Sequence, residues 1–214
     1  LEIFGLEGEN KDLLLRFLRP LVFSSLAGRW LGEDNYLAWS EDITLSSQEN
    51  LQLADLLITK NFLKRSVIIE AQPRVGIGIW CQSQAPASEL ATRQCWWFDE
   101  QGVLFREAPF SEGYLFLKII EISESRFILG AKMLTESALA NLNEILAILG
   151  KLNLPVKTAE FDRRFQELRV TISSGAKLIF SLRFNPVANS GALQEVLDKN
   201  PLHTINYINL TVEN

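Results

Sequence analysis

Histidine is almost absent from this chain: His203 is the only one among 214 residues. A serine–histidine–aspartate triad, a histidine-ligated metal site or an imidazole base would each have to use that one side chain. It follows Pro201 in a polar stretch without a serine or cysteine nucleophile motif, so we interpret it as a surface residue. The scarcity of histidine leaves little room for catalysis.

Excess basic charge is lacking as well. Lysine and arginine number 21 against 26 aspartates and glutamates, which gives a formal net charge of -5. A surface that binds phosphate backbones normally has a basic excess. We therefore do not expect nucleic acid to be a partner.

Long apolar runs are missing too. The longest unbroken run is Ile145–Leu149, whereas a membrane helix needs about 18 or more predominantly apolar residues. The chain starts at Leu1, directly in strand-like sequence, with no charged segment of a signal peptide before it. We expect the given residues to be soluble and to be a piece of a longer protein that continues before Leu1.

The two cysteines, Cys81 and Cys95, lie at the inner ends of two apolar runs that flank a polar loop, residues 82–94. If these runs pair as a hairpin, Trp80 faces Trp96 and the two cysteines face each other. Their Cα atoms would then lie about 4.5 Å apart, which a disulfide can span. Such a bridge would stabilise the fold by roughly 3 kcal/mol. Two separate buried thiols are the alternative, and zinc is disfavoured because its fourth ligand would be unaccounted for.

The overall composition, 47% hydrophobic and 22% charged, is typical of a globular protein and excludes disordered and collagen-like chains. Up to about residue 72, the pattern predicts a strand, a helix, an irregular segment with one short helical turn, and two strands. The first strand is expected at residues 1–6 and the helix at Lys11–Leu26, with Asn10 as its N-cap and Pro20 as a kink or break. The irregular segment is Gly28–Glu49, held to the core by Trp30, Tyr36 and Trp39. The two later strands are expected at Leu51–Asn61 and Leu63–Ala71.

Strand patterns dominate from Pro73 onward, with two helices among them. One helix is capped by Thr135 or Ser137 and ended by Gly150, and the second spans about Gly191–Lys199. Helices among antiparallel hairpins predict an α+β fold: a small β-α-(α)-β-β domain over residues 1–72 and a larger antiparallel β domain with two helices over residues 73–214. The strands of the second domain are expected at 75–80, 96–98, Val103–Phe105, Tyr114–Ile122, Arg126–Leu129, Lys157–Phe161, Leu168–Ile172, Lys177–Phe184 and Ile205–Val212.

The remaining polar motifs have simple structural explanations. Asp99 and Glu100 could form an acid/base pair or a cation site, but a solvated turn before Gly102 is favoured. The run Gly76-Ile77-Gly78 lacks the third glycine and the helix of a phosphate loop, so these small residues are expected to relieve crowding on one strand face. The run Asp162-Arg163-Arg164 indicates a charged turn. Since none of these groups assembles an active site, we expect no catalytic residue, no cofactor and no metal.

Aromatic residues cluster around the expected hairpin: Trp80, Trp96, Trp97, Phe98 and Phe105. Tryptophan is enriched in interface hot spots, so the cluster could form a partner-binding patch. The alternative, which we favour, is that alternate members fill the core under the hairpin.

Several motifs occur in an order that resembles a known family. The strand pair ending in Asn61–Pro73 leads into an apolar strand that closes with Trp80, and Trp97–Phe105 follows as a hairpin with an Asp-Glu-Gln-Gly turn. Leu168–Phe184 is a later hairpin around a glycine, and Tyr207-Ile208-Asn209-Leu210-Thr211 follows the last helix. In this order the motifs resemble the FtsQ/DivIB family of bacterial cell-division proteins.

The resemblance implies a single-pass protein of the cell membrane, with its cytoplasmic tail and membrane helix before Leu1 and the given residues outside the cytoplasm. It implies a POTRA domain over residues 1–72 and an FtsQ-type β domain over residues 73–214. Such a protein is a non-catalytic scaffold of the divisome during septum formation, and its implied partners are FtsB- and FtsL-like proteins and other divisome members. They would bind by strand addition at the C-terminal sheet edge, the family's last strand being expected beyond Asn214. The implied partner-binding residues are Tyr207, Asn209, Thr211 and Val212.

Two other functions stay open at this point. A POTRA-type chaperone or transport module, acting in protein export or outer-membrane assembly, would present the edge of the first domain to its clients. A periplasmic enzyme or small-molecule binder would need a pocket with perturbed carboxylates, and the sequence contains no such constellation.

Overall fold

The computed structural model describes residues 1–24, 26–32, 35–41, 52–83, 94–109, 116–123, 127–201 and 204–212. It divides into unit 1, Leu1–Arg74, and unit 2, Val75–Asn214. The predicted boundary after residue 72 lies just before this division. Within the described residues, the chain forms two sheets and four α-helices, so the predicted α+β class is confirmed.

Unit 1 is a three-stranded sheet with helices between its first and second strands. The sheet order is β1-β3-β2, with β1 parallel and β2 antiparallel to β3. The predicted order of strand, helix, short helical segment and two strands is confirmed. Its elements are β1 (Glu2–Phe4), α1 (Glu9–Ser24), α2 (Leu26–Leu31), a 3₁₀ turn (Tyr36–Ala38), β2 (Leu53–Asn61) and β3 (Ser66–Pro73).

The helix boundaries of unit 1 differ from the prediction. Asn10 lies inside α1 rather than capping it, because its N–H already bonds to the Glu7 carbonyl at 3.3 Å. Pro20 also lies inside α1, which continues to Ser24. Trp30 was expected to anchor the following segment but is 87% exposed, whereas Trp39 is buried as expected.

The core of unit 1 lies between α1 and the sheet. Leu14, Leu18 and Val22, spaced by four residues, place one face of α1 in contact with a core that includes Ile58 and Ile69. Close packing also constrains the end of β1. Gly5 has a φ of 85°, and a Cβ atom there would lie 2.0 Å from the Ala71 carbonyl oxygen, so only glycine fits.

Unit 2 is an eight-stranded sheet in the order β11-β10-β9-β8-β7-β4-β5-β6. Its elements are β4 (Gly78–Ser83), β5 (Gln94–Phe98), β6 (Leu104–Glu107), β7 (Lys118–Ile122), α3 (Glu136–Lys151), β8 (Val156–Asp162), β9 (Glu167–Ile172), β10 (Lys177–Ser181), α4 (Val187–Lys199) and β11 (Tyr207–Leu210).

The expectation of an antiparallel β domain is wrong in one respect, since this sheet is mixed. The pairs β7–β8, β10–β11 and β4–β7 are parallel, and the other neighbours are antiparallel. Two of the parallel pairs are joined through helices, α3 between β7 and β8 and α4 between β10 and β11. Parallel neighbours need such a crossover, because the chain must return to the starting end of the sheet.

Two predicted strands of unit 2 also need correction. The strand expected over Tyr114–Ile122 begins only at Lys118, with residues 110–115 outside the described part. Of the strand expected at Arg126–Leu129, Arg126 lies outside the described residues and the rest forms no strand. These residues form a turn instead, in which the Ala131 N–H donates to the Ile128 carbonyl at 3.1 Å.

The helix α3 covers one face of the sheet. Thr135 is its N-cap, with the Thr135 hydroxyl accepting from the Ala138 N–H, and its apolar residues Leu142 and Ile145 are fully buried. The helix runs one residue past Gly150, where it was expected to end. The same face of the sheet contributes the aromatic core, in which the Trp80 ring meets the Phe98 and Phe161 rings edge to face.

The predicted hairpin pairing is confirmed. β4 and β5 are antiparallel, with Trp80 opposite Trp96 and Cys81 opposite Cys95. The two cysteines form a disulfide with their Cα atoms 4.1 Å apart. Most of the aromatic cluster is core, because Trp80, Trp96, Phe98 and Phe105 are all buried. Trp97 is the half-buried member and packs on the Phe116 ring at 4.9 Å.

An ion pair between a buried carboxylate of unit 2 and the half-exposed side chain of Arg163 was not foreseen. The carboxylate of Glu121 on β7 is fully buried and accepts from the Trp80 indole N–H at 2.9 Å. Arg163, interpreted from the sequence as part of a charged turn, donates from Nε and Nη2 to the two Glu121 oxygens at 2.5 and 2.9 Å. Its Nη1 also donates to the Met133 carbonyl at 3.1 Å. The arginine therefore ties the β8–β9 turn to a buried carboxylate.

We expect Arg163→Met to lower the free energy of unfolding by about 3 kcal/mol, because it leaves a buried carboxylate without its cation. Urea unfolding followed by circular dichroism measures this. Lys132→Met is the matched control, since it breaks an exposed pair with Glu136 and should cost less than about 0.5 kcal/mol. Equal stability of the two variants would contradict a structural role for the pair between Arg163 and the buried Glu121. A second change, Glu121→Gln, should recover part of the loss, because the amide oxygen still accepts from Trp80.

The disulfide should contribute roughly 3 kcal/mol to the stability of unit 2, since it closes a short loop in the unfolded chain. We expect a reductant to lower the urea midpoint of the wild type toward that of Cys81→Ala/Cys95→Ala. The double variant itself should not respond to the reductant. An unchanged wild-type midpoint after complete reduction would show that the bridge is energetically neutral.

Candidate functional site

Among the residues that the structure describes, the strand β11 lies at one end of the large sheet and pairs with β10 alone. The other end of the sheet, β6, is partly protected. There the Leu104 N–H donates to the Ala131 carbonyl, and the Leu104 carbonyl accepts from the Gly130 N–H at 2.7 Å. Within the described residues β11 has no comparable cover, so it is the open edge of unit 2.

The backbone direction of β11 determines which groups are open. In a parallel ladder, alternate residues of a strand bond to the same neighbour. The Lys177 N–H of β10 donates to the Asn206 carbonyl at 3.0 Å, so the even-numbered residues of this segment face β10. Tyr207 and Asn209 therefore direct their N–H and C=O groups away from the sheet. An incoming strand would meet four backbone groups there.

The side chains of β11 alternate between two faces. Ile208 and Leu210 pack against the core on one face. Tyr207, which is 66% exposed, and Asn209, which is also exposed, lie together on the other face. Tyr207 lies beside Lys177 in the register, and Asn209 beside Ile179. The edge therefore combines open backbone groups with an exposed aromatic ring and a basic neighbour.

Two of the expected partner-binding residues lie just beyond β11. The strand ends at Leu210, so Thr211 and Val212 follow it rather than belonging to it as predicted. The Asn209 side-chain oxygen accepts from both the backbone N–H and the hydroxyl of Thr211, at 3.0 and 2.8 Å. This local turn occupies a donor that would otherwise continue the open edge. Val212 is 64% exposed.

A buried asparagine on α4 holds the end of this edge in place. Asn189 is 6% exposed, and its Nδ2 donates to the Leu210 carbonyl at 3.2 Å and to the Val212 carbonyl at 3.1 Å. Sequence reasoning missed this residue because the helix was expected to begin at Gly191, whereas α4 begins at Val187. The signal in the sequence that could have indicated its role was an asparagine within a helix.

The structure assigns the other candidate motifs to structural roles. Asp99 is buried rather than solvated, and its Oδ1 accepts from the Gln101 and Val103 N–H groups at 3.0 and 2.9 Å. Glu100 is exposed, as expected for the turn. The strand-crowding interpretation of the glycines is confirmed. A Cβ on Gly76 would lie 2.7 Å from the Trp97 ring, and one on Gly78 would lie 2.8 Å from the Phe98 ring. His203 lies outside the described residues.

Across the described part of the chain, no three histidine, cysteine or carboxylate side chains converge as metal ligands. In the same ranges, no helix combines the length and the apolar character that crossing a bilayer requires. A scan against protein-family models and a search of curated proteins found no match for this chain.

We expect Asn189→Ala to loosen the β11 edge without unfolding unit 2, because two carbonyl groups lose their buried donor. The change should cost about 1–3 kcal/mol. Hydrogen exchange should become faster in the segment 204–212, as measured by mass spectrometry. Ser190→Ala, at the next position of α4, is the control and should leave exchange unchanged. Equal protection in both variants would contradict the role of Asn189.

Proposed function

We propose that this chain is the extracytoplasmic part of a division protein of the FtsQ/DivIB type, a non-catalytic scaffold of the divisome. In this proposal it is held in the cell membrane by a single anchor before Leu1. FtsB- and FtsL-like proteins bind it by adding a strand to the C-terminal edge of the large sheet during septum formation.

The observation that carries the proposal is the open, immobilised edge formed by β11. Strand addition gains affinity from main-chain hydrogen bonds and specificity from side chains beside the edge. The backbone groups of Tyr207 and Asn209 supply the main-chain hydrogen bonds, and the exposed Tyr207 ring supplies the side-chain contact that gives specificity. Because Asn189 holds the end of the strand, an incoming strand would meet an edge that is already ordered. Preorganisation of this kind reduces the entropy lost on binding.

The disulfide supports the location outside the cytoplasm. Disulfides persist in oxidising compartments and are rare where glutathione and thioredoxin keep thiols reduced. The bond between Cys81 and Cys95 therefore favours an extracytoplasmic site for unit 2. An FtsQ-type protein would place this part of its chain in such a compartment.

The chaperone or transport alternative would use an edge strand of unit 1, β1 or β2, and two contacts on β2 disfavour the use of that strand. The Lys60 N–H donates to the Glu41 carboxylate at 2.8 Å, and the Leu56 N–H donates to its neighbour Asp55 at 2.9 Å. Two backbone donors of this edge strand are thus occupied by carboxylates. Charged side chains of this kind are a common way to protect an edge from strand addition.

Two proline variants test the proposal with matched chemistry. Asn209→Pro removes an outward N–H and the two exposed hydrogen bonds between the Asn209 side chain and Thr211, and it leaves the ladder to β10 intact. Binding of the FtsB-like partner should weaken by at least about tenfold, while stability changes by less than about 1–2 kcal/mol. Ile208→Pro removes an inward N–H and should instead destabilise unit 2. Calorimetric titration measures binding, and urea unfolding measures stability. Full-strength binding by a folded Asn209→Pro variant would contradict strand addition at β11.

The same titration is run with residues 1–214 and with the full-length protein. If a further strand follows Asn214, it would dock on β11 and the partner would add to that strand. In that case the partner should bind the full-length protein more tightly than residues 1–214. Tyr207→Ala should weaken binding to residues 1–214, where it removes the exposed ring at the open edge. Val75→Ala, a change at an exposed apolar residue elsewhere in unit 2, is the control.

A further inference from the structure

The turn between β2 and β3 exposes large apolar side chains next to basic ones. Phe62 is 64% exposed and Leu63 is 99% exposed, and Lys64 and Arg65 follow them directly. Contiguous apolar surface that is exposed and bordered by polar residues can mark an interaction site. We call these four residues, Phe62–Arg65, the apolar tip of unit 1.

A cavity of about 210 Å³ lies beside the apolar tip. Arg19 from α1 and Arg65 from the tip both line it, together with Tyr36 and Ser66. The Phe62 ring packs edge to face on the Tyr36 ring with 6.2 Å between centroids, so the tip and the cavity form one continuous surface. The buried Ser66 hydroxyl has no hydrogen-bond partner in the described part of the chain.

The charge of this surface is opposite to that of the whole chain. The segment from Lys60 to Ser66 contains three cations and no carboxylate, whereas the chain has a net charge of -5. Glu41 reaches this end of β2, where it accepts from the Lys60 N–H, and offsets part of the basic charge. Among these described residues, three cations stand against one carboxylate, and this balance favours an anionic partner.

We propose that this surface of unit 1 docks on an anionic lipid bilayer. Phe62 and Leu63 enter the boundary between headgroups and acyl chains, and Lys64 and Arg65 bind lipid phosphate beside the cavity. Apolar side chains flanked by cations are a common means of binding to a membrane interface. Burial of the apolar side chains and attraction of the cations to anionic lipid both contribute to the binding free energy. A soluble anion would use the cavity but would give no role to an almost fully exposed leucine.

The position of Leu1 agrees with this orientation, since Leu1 lines the same cavity. A membrane anchor before Leu1, as in the proposed function, would bring the bilayer to this surface. The docking surface itself is argued from the tip and the cavity, and its test needs no division partner. Failure of one proposal therefore leaves the other standing.

Vesicle cosedimentation of the 214-residue chain tests the proposal. The probes are vesicles of phosphatidylcholine alone and vesicles with about 30% phosphatidylglycerol, which supplies the negative surface potential that basic residues respond to. We expect binding to the anionic vesicles only, and weaker binding at high salt. Equal binding to both vesicles, or none to either, would overturn the proposal.

Three variants locate the site. Lys64→Gln/Arg65→Gln should weaken vesicle binding by about fivefold for each cation removed. Phe62→Ser/Leu63→Ser should weaken it by at least about tenfold, through lost apolar burial. Phe165→Ser is the control, because Phe165 is also exposed in a turn next to two arginines, the β8–β9 turn of unit 2, and should bind as the wild type does.

The other possible outcomes of these measurements also test the docking proposal. If Phe165→Ser weakens binding as much as the tip variants do, the attraction is non-specific and the proposal is wrong. If Arg19→Gln abolishes vesicle binding while Phe62→Ser/Leu63→Ser leaves it intact, the chain contacts lipid phosphate without inserting the apolar tip, and the proposed docking surface is wrong. Unchanged thermal midpoints confirm that the variants remain folded. Unchanged vesicle binding by Asn209→Pro separates this site from the β11 edge.

Discussion

Each strand of a sheet has backbone N–H and C=O groups that need partners, and this requirement organises the larger unit. Six of its eight strands have a neighbour on both sides. At one end, the segment Gly130–Ala131 bonds to the first residue of β6 and reduces the open edge. At the other end, β11 has a neighbour on one side only among the described residues. The unpaired backbone groups of the unit thus lie where the strand pairing stops.

The crossover helices explain how the edge arises and how it stays ordered. Because α4 returns the chain to the starting end of the sheet, β11 is added parallel to β10 as the last strand. The same helix supplies Asn189, which bonds to the carbonyl groups at the end of β11. One element therefore both delivers the strand and holds it. Deeper in the sheet, Arg163 and the buried Glu121 link the β8–β9 turn to β7 in a similar way.

The amino-acid sequence predicts the local structure well where periodicity is strong. The hairpin register of Trp80 opposite Trp96, the apolar face of α3 and the turn at Gly102 all follow from neighbouring residues. The direction of a strand does not follow from neighbouring residues, because an apolar strand has the same sequence pattern in a parallel pair as in an antiparallel pair. The Glu121–Arg163 pair was missed since it joins residues 42 positions apart. Tyr207 and Asn209 were expected at a sheet edge and lie there, whereas Asn189 depends on a tertiary contact.

The disulfide affects how unit 2 would withstand proteolysis. The bond joins β4 to β5 across the segment between Cys81 and Cys95. A protease that cut once within this segment would leave two pieces that are still covalently connected, and the paired strands would keep their register. Separation would need a reductant as well as the cut. A nicked chain would therefore run as one band on a non-reducing gel and as two bands after reduction.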